Sequence, residues 1–293
     1  MGISIALTIN NVCNMTCPHC YLNLASAKNY LTESVLAKLC DKDFMAGVEE
    51  VVVVGKEPLA NQRSIEIVTW LTENLSPTIK VSIITNGIGL PHLPHTTASR
   101  LKEVCLSLDG GPATYGRFRG EVVVGRKYTW SDVVASVASL SNVAPLTVLH
   151  TVSSHTHDID DMVSMEALGR SKILFSPFVK TGDVTDQSLQ VVPMDELLTL
   201  FAQSERFIRT PHASLVLGTH SAQGFSREEL RKMVLERKLE GKVRWLGDSG
   251  QYVRLTHDGR VLTSPDALHM EAYVGAVDIA DVRSLERFLA ERR

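Results

Sequence analysis

Short apolar runs alternate along the chain with stretches whose apolar residues fall three and four positions apart. The first pattern reads as strand and the second as amphipathic helix. Ile3–Ile9 reads as a first strand leading into a polar loop. Behind Thr32, a residue suited to cap a helix, Val35, Leu36, Leu39 and Met45 keep near-helical spacing until Gly47. Val51–Val54 is an unbroken valine run, as expected of a strand buried on both faces. Ile65, Val68, Leu71 and Leu75 form the next helical stripe, Val81–Ile84 a third strand and Val104–Leu108 a fourth. Ser131 reads as the cap of a helix carrying Val133, Val134, Val137 and Leu140. Leu146–Val152 is a fifth strand, Met162–Leu168 a helix and Ile173–Phe175 a sixth strand. Alternation of this kind predicts a parallel sheet; eight repeats would close a barrel, and six predict an open, partial one.

After Phe178 the rhythm changes. Asp195–Phe201 is helical, and Ser226 with Glu229 makes a capping box before a charged helix running towards Leu239. Tyr252–Leu255 and Val261–Thr263 flank an Asp258-Gly259 pair, a hairpin signal, and a last helix lies near Val282–Leu289. The expected fold is α/β: a partial (β/α)6 barrel over residues 1–182, then a small C-terminal α+β cap over residues 183–293.

Composition narrows the function. The 293 residues carry a net charge of −3, which advertises neither a nucleic-acid nor an acidic-membrane partner. The N-terminus lacks the basic start and apolar run of a signal peptide, and no stretch approaches a membrane span, so a cytoplasmic location is expected. Three of the five cysteines, Cys13, Cys17 and Cys20, crowd into one short loop. That clustering and the odd count point to a metal site rather than a disulfide framework.

Three thiolates at C-x3-C-x2-C spacing can hold three irons of a cubane cluster and leave the fourth open to an exogenous ligand. The rival is a zinc site with His19 as fourth ligand. His19 abuts Cys20 and is poorly placed to close a tetrahedron with the same three thiolates.

The loop, its place after the first strand and the strand–helix repeats resemble the radical S-adenosylmethionine (SAM) superfamily. His19 stands where that family has an aromatic residue before the last cysteine, in the branch form CNxxCxHCY. Three further motifs follow in order on successive strand ends: Gly55-Lys56-Glu57-Pro58, where the family has Gly-Gly-Glu-Pro, then Thr85-Asn86-Gly87, then Ser107-Leu108-Asp109-Gly110. The resemblance covers residues 3–180 and implies a [4Fe–4S] cluster on Cys13, Cys17 and Cys20, with SAM on its open iron. Gly55, Lys56, Glu57 and Pro58 would then orient the amino group of SAM. Thr85 and Ser107 are candidates for its carboxylate or ribose, and Asn86 and Asp109 complete the expected cofactor-binding set. Lys56 departs from the family's second glycine. Arg117 and Arg119 lie where many relatives carry arginine, and the segment from Ser176 to Gly182 resembles one that contacts adenine. Cys40 and Cys105 read as core, and His150, His155 and His157 as a surface loop at the end of the fifth strand.

The C-terminal hairpin resembles SPASM and twitch extensions, but Ser264 stands where an auxiliary-cluster cysteine would follow, and no cysteine comes after Cys105. One cluster is therefore expected, with the cap as a lid over the barrel. The resemblance implies a radical SAM enzyme that abstracts hydrogen from a substrate, with an electron donor such as flavodoxin or ferredoxin. No leader-peptide-binding domain is expected ahead of the first strand, which favours a small metabolite in a biosynthetic pathway. A peptide-modifying enzyme is the alternative, and a non-catalytic metal-binding regulatory protein the alternative of another class.

Overall fold

The computed structural model describes residues 2–17, 19–20, 28–112, 114–115, 119, 122–123, 126–127, 129–140, 143–163, 165, 169, 171–179, 188–218, 223–245, 251–262 and 276–291. The strands are β1 (Ile3–Thr8), β2 (Val48–Val54), β3 (Lys80–Thr85), β4 (Glu103–Ser107), β5 (Val122–Val123), β6 (Arg126–Lys127) and β7 (Leu146–Val152). They continue as β8 (Lys172–Pro177), β9 (Ala213–Leu217), β10 (Val243–Trp245), β11 (Gln251–Leu255), β12 (Arg260–Leu262) and β13 (Val277–Asp278). Among the described residues β5 and β6 pair only with each other. The other eleven form one sheet in the order β10-β9-β8-β7-β4-β3-β2-β1-β11-β12-β13. It is parallel from β10 to β11, antiparallel at β12 and β13, and open at both ends. Helices α1 (Glu33–Leu39), α2 (Gln62–Asn74), α3 (His95–Ala98), α4 (Trp130–Leu140) and α5 (Ile159–Val163) serve the expected partial barrel. α6 (Met194–Gln203), α7 (Glu205–Arg209), α8 (Arg227–Glu236) and α9 (Leu285–Ala290) belong to the C-terminal third.

The two faces of the sheet differ, because successive side chains of a strand point to opposite sides. Ile5, Leu7, Val51, Val53, Ile83, Val104, Leu106, Val148 and Phe175 are 1% exposed or less. They form one core with Val35 and Leu39 of α1, Val68 and Leu71 of α2, Val133 of α4, and Leu197 and Phe201 of α6. The alternate residues line the inner face and are mostly half-buried: Thr8, Glu50, Val54, Glu103, Ser107, Thr151, Lys172 and Ser176. That face is polar. Its charges at the strand starts are matched, with Glu50 Oε2 at 2.8 Å from Lys102 Nζ and Glu103 Oε1 at 2.9 Å from Lys172 Nζ.

Several boundaries differ from expectation, each for a local reason. The first helix is capped by Thr32 as expected but stops at Leu39, not Met45. Asp41 Oδ1 accepts from the amides of Asp43 and Phe44, which closes a turn instead of a further helical one. Cys40, expected in the core, is the exposed cap residue of that helix; Cys105 is buried. Ser131 lies inside α4, whose cap is Thr129, since Thr129 Oγ1 accepts from Asp132 N while Asp132 Oδ2 accepts from Thr129 N. The helix between the fifth and sixth expected strands begins at Ile159, earlier than Met162, and residues 164 and 166–168 of the expected span lie outside the described residues. The Ser226–Glu229 capping box is present, and its helix ends at Glu236.

The described C-terminal strands join the sheet itself. β9 and β10 extend the sheet beside β8, and β11 lies parallel to β1, with Ile5 opposite Val253 and Leu7 opposite Leu255. The β11–β12 hairpin turns at Gly259 (φ +87°). An unpaired edge at β1 would leave a row of backbone donors and acceptors open, and β11 covers it. The boundary expected at residue 182 lies outside the described residues, as do Gly182, Thr263 and Ser264.

Candidate functional site

The cysteine loop is fixed at its root. Beyond β1 the chain reaches Asn10, 1% exposed, whose Nδ2 donates to Glu57 O (2.8 Å) and Ser64 Oγ (2.9 Å) while Oδ1 accepts from Val12 N (3.3 Å). The end of β2 passes so close that a Cβ on Gly55 would lie 2.9 Å from Asn10 Oδ1 and 3.1 Å from Asn10 O, so glycine is required there. The loop's far end returns to its start through Leu31 N to Ile9 O (2.8 Å) and Asn29 N to Asn11 Oδ1 (2.8 Å). Two further bonds tie it to neighbouring strand ends: Glu57 N donates to Val12 O (3.0 Å), and Asn86 Nδ2 to Asn14 Oδ1 (2.7 Å).

Cys13, Cys17 and Cys20 are half-buried thiols outside any disulfide. Cys13 Sγ accepts from Met15 N (3.4 Å), and Cys20 N donates to Cys17 O (3.1 Å). Burial, then the charges of Glu57 and of the other two cysteines, pushes the Cys13 thiol up to about 12, so in the metal-free protein it holds its proton. Iron binding displaces that proton, and the metal's own charge reverses the cost of the thiolate. Among the described residues no three His, Cys, Asp or Glu side chains gather closely enough for a single ion. A cubane asks for less, since its thiolates sit on three different irons. His19, the rival zinc ligand, turns Nε2 towards Asp109 Oδ2 at 3.7 Å.

Glu57 is 1% exposed and acts as a clasp between the β2 and β3 ends. Its Oε1 accepts from Leu59 N (2.9 Å) and Thr85 Oγ1 (2.6 Å), and its Oε2 from Asn86 N (2.7 Å). Burial raises its pKa; the Thr85, Asn86 and Leu59 hydrogen bonds and the Arg119 charge oppose that rise. Thr85, expected near the SAM carboxylate or ribose, spends its proton on Glu57 and accepts from Gly87 N (3.1 Å). Asn86 is more than a turn residue, because its side chain fastens Asn14 of the cysteine loop. Lys56 and Ser107 are half-buried, and Pro58 is buried.

Asp109 is fully buried beyond β4. Its Oδ1 accepts from Thr151 N (2.5 Å) and its Oδ2 faces Arg119 Nη2 (2.5 Å). Burial alone would raise its pKa, but Arg119, His19 and His150 outweigh it and hold the carboxyl below the usual range. Arg119 is in turn raised, its burial overcome by Asp109 and then by Cys17; its guanidinium shares Asp109 Oδ2 with His19 of the cysteine loop. Tyr115 Oη and Arg119 Nε are buried with no hydrogen-bond partner among the described residues. Both belong to groups electrostatically coupled to Cys17. Orphaned polar atoms within electrostatic reach of Cys17 are what a site shaped around a further polar group leaves when that group is absent. The residues present thus fit a cluster with a polar ligand next to it.

His150 does not lie on the surface. It is 1% exposed, with Nε2 at 2.9 Å from Thr156 O and Nδ1 at 3.1 Å from Leu108 O, and it braces the turn that carries Asp109. His155 and His157 are exposed as expected. Arg117 lies outside the described residues. Asn10, Asn14 and the bracing role of His150 escaped the sequence reading; the only signal for Asn10 was an amide directly after a strand.

The family model of the radical SAM superfamily matches residues 7–165. The chain belongs to that superfamily. Its cofactors are accordingly a [4Fe–4S] cluster and SAM. Among solved structures it resembles anSMEcpe with bound AdoMet and Cp18Cys peptide, at TM-score 0.60 and 18% identity over 91% of this chain and 75% of that one. It resembles Streptococcus suis SuiB bound to precursor peptide SuiA at TM-score 0.62 and 13% identity, over 99% of this chain and 65% of that one. It also resembles the FeFe-hydrogenase maturase HydG from Carboxydothermus hydrogenoformans, at TM-score 0.55 and 11% identity, over 99% of this chain and 66% of that one. At such identities these likenesses speak for the fold, a radical SAM partial barrel that is not closed. No curated protein matches the chain. Among the described residues no helix is long and apolar enough to cross a membrane.

Proposed function

We propose that this radical SAM enzyme modifies a small polar metabolite by hydrogen-atom abstraction on the inner face of the barrel. The observation that carries the reading is the Glu57 clasp, which joins the β2 and β3 ends to one another and, through Asn86 and Asn14, to the cysteine loop. In this reading Cys13, Cys17 and Cys20 hold the cluster, and Glu57 Oε2, with one donor already on it, takes the amino group of SAM. Ser107 and the Asp109–Arg119 pair serve its carboxylate or ribose. Thr85 and His150 act at one remove, by fixing Glu57 and the Asp109 turn. With cluster and SAM bound, the chemistry supplied is one-electron cleavage of SAM to a 5′-deoxyadenosyl radical. The protein's share is orientation and exclusion of water, which such a radical requires.

A peptide substrate is the second reading. It draws on the likeness to SuiB and anSMEcpe, both solved with peptides. The test is anaerobic reconstitution with iron and sulfide, reduction, and chromatographic assay of 5′-deoxyadenosine with SAM present. Product at turnover above a Cys13→Ala, Cys17→Ala, Cys20→Ala control is expected. Cluster-loaded, reduced protein that forms none with metabolite or peptide pools would remove the catalytic reading, and one tight zinc per colourless chain would replace it with the metal-binding alternative.

A further inference from the structure

We infer that Arg254 is the anchor for a carboxylate group of the substrate, a step that rests on the radical SAM reading above and goes beyond it. Arg254 stands on β11 between Val253 and Leu255, which are 0% and 1% exposed and belong to the helix-facing core. Alternation therefore turns it to the inner face of the sheet, level with Ala6 of β1. It is only 7% exposed. Its Nε donates to Thr8 Oγ1 at 3.2 Å, so the side chain reaches along β1 towards the end from which the cysteine loop departs.

Among the described residues Thr8 is its one partner, and no carboxylate pairs with it. The other inner-face charges behave differently, with Glu50 bound to Lys102 and Glu103 to Lys172. A guanidinium buried without a counter-ion costs stability, and such groups persist where a ligand supplies the missing charge. With Nε taken by Thr8, the two terminal nitrogens remain, and their planar pair of donors matches the two oxygens of a carboxylate. The hydroxyl of Thr8 holds the fork in one orientation, so the anchor is preorganised.

The test uses cluster-loaded, SAM-bound protein and three probes: acetate, inorganic phosphate and methyl acetate. Saturable acetate binding by saturation-transfer NMR is expected, weakened about tenfold or more in Arg254→Gln. Methyl acetate should not bind, and phosphate should bind no better than acetate. A second variant separates ligand binding from a structural role. Arg254→Met removes a charge that has no carboxylate partner among the described residues, so it should raise the thermal midpoint of the substrate-free protein, whereas a structural arginine would lower it on removal. Acetate binding equal in wild type and Arg254→Gln, or a lowered midpoint in Arg254→Met, overturns the assignment; stronger phosphate binding overturns the carboxylate. Substrate-independent 5′-deoxyadenosine formation is measured in parallel. If it persists in wild type while acetate ignores Arg254, only this inference fails; if wild type forms none, the radical reading fails first.

Discussion

Two buried carboxylates at the site have opposite titration behaviour, and that sets what their replacement does. Asp109 faces Arg119 and is held ionised. Asp109→Asn leaves a buried guanidinium without its partner and should cost about 3–5 kcal/mol in denaturant unfolding. Glu57 is raised by burial, so its ionisation opposes folding as pH rises, yet its oxygens satisfy three donors. Glu57→Ala orphans the Thr85, Asn86 and Leu59 donors at about 1–3 kcal/mol each at most, and should weaken SAM binding in equilibrium titration. Away from the site, burial pushes Glu103 up, but the Thr147 hydroxyl and Lys172 outweigh it and lower its pKa. Its stabilising share is thus present above its ordinary value of 4.5 and lost as pH falls through the lowered one. Glu103→Gln should flatten the fall of the thermal midpoint in that acid range; an unchanged slope would assign the acid lability elsewhere.

At the scale of elements, strand ends matter more than helices. β1 and β2 approach so closely beyond their last paired residues that only glycine fits at position 55. Gly55→Ala should push the Asn10 turn outward and lower iron retained per chain after gel filtration, with little change in helix content. Helix α8 offers the contrasting case. Its capping box joins Ser226 and Glu229 far from the cysteine loop in sequence, and Ser226→Ala should cost about 1 kcal/mol of stability. Iron content and 5′-deoxyadenosine formation should not move.

For the whole molecule, the continuous sheet places both edges of the core beside strands from the last third of the chain. The five cysteines limit what that third can hold. Cys40 is exposed on a helix end and Cys105 is buried in β4, and neither belongs to the C-terminal strands. Fully reconstituted protein should carry about four irons per chain, all lost when Cys13, Cys17 and Cys20 are replaced by Ala. About eight irons, or a second cluster surviving those replacements, would refute the single-cluster expectation.

The cysteine loop, the Ser226–Glu229 capping box and all six core strands were legible in the sequence because each is written in residues close together along the chain. Periodicity of two or of three to four positions, and a ligand spacing of three or two residues, are local quantities. The pairing of β11 with β1 is not local: Ile5 meets Val253 across nearly the whole chain, and nothing near either residue announces the other. From that pairing follow the burial of Arg254, its reach to Thr8 and its lack of a carboxylate partner among the described residues. The same holds for Thr85, whose hydroxyl could serve a ligand or Glu57, and for His150, which reads as loop but is packed between two carbonyls. A side chain's type sets what it can bond to; only the approach of distant strands decides which partner it meets.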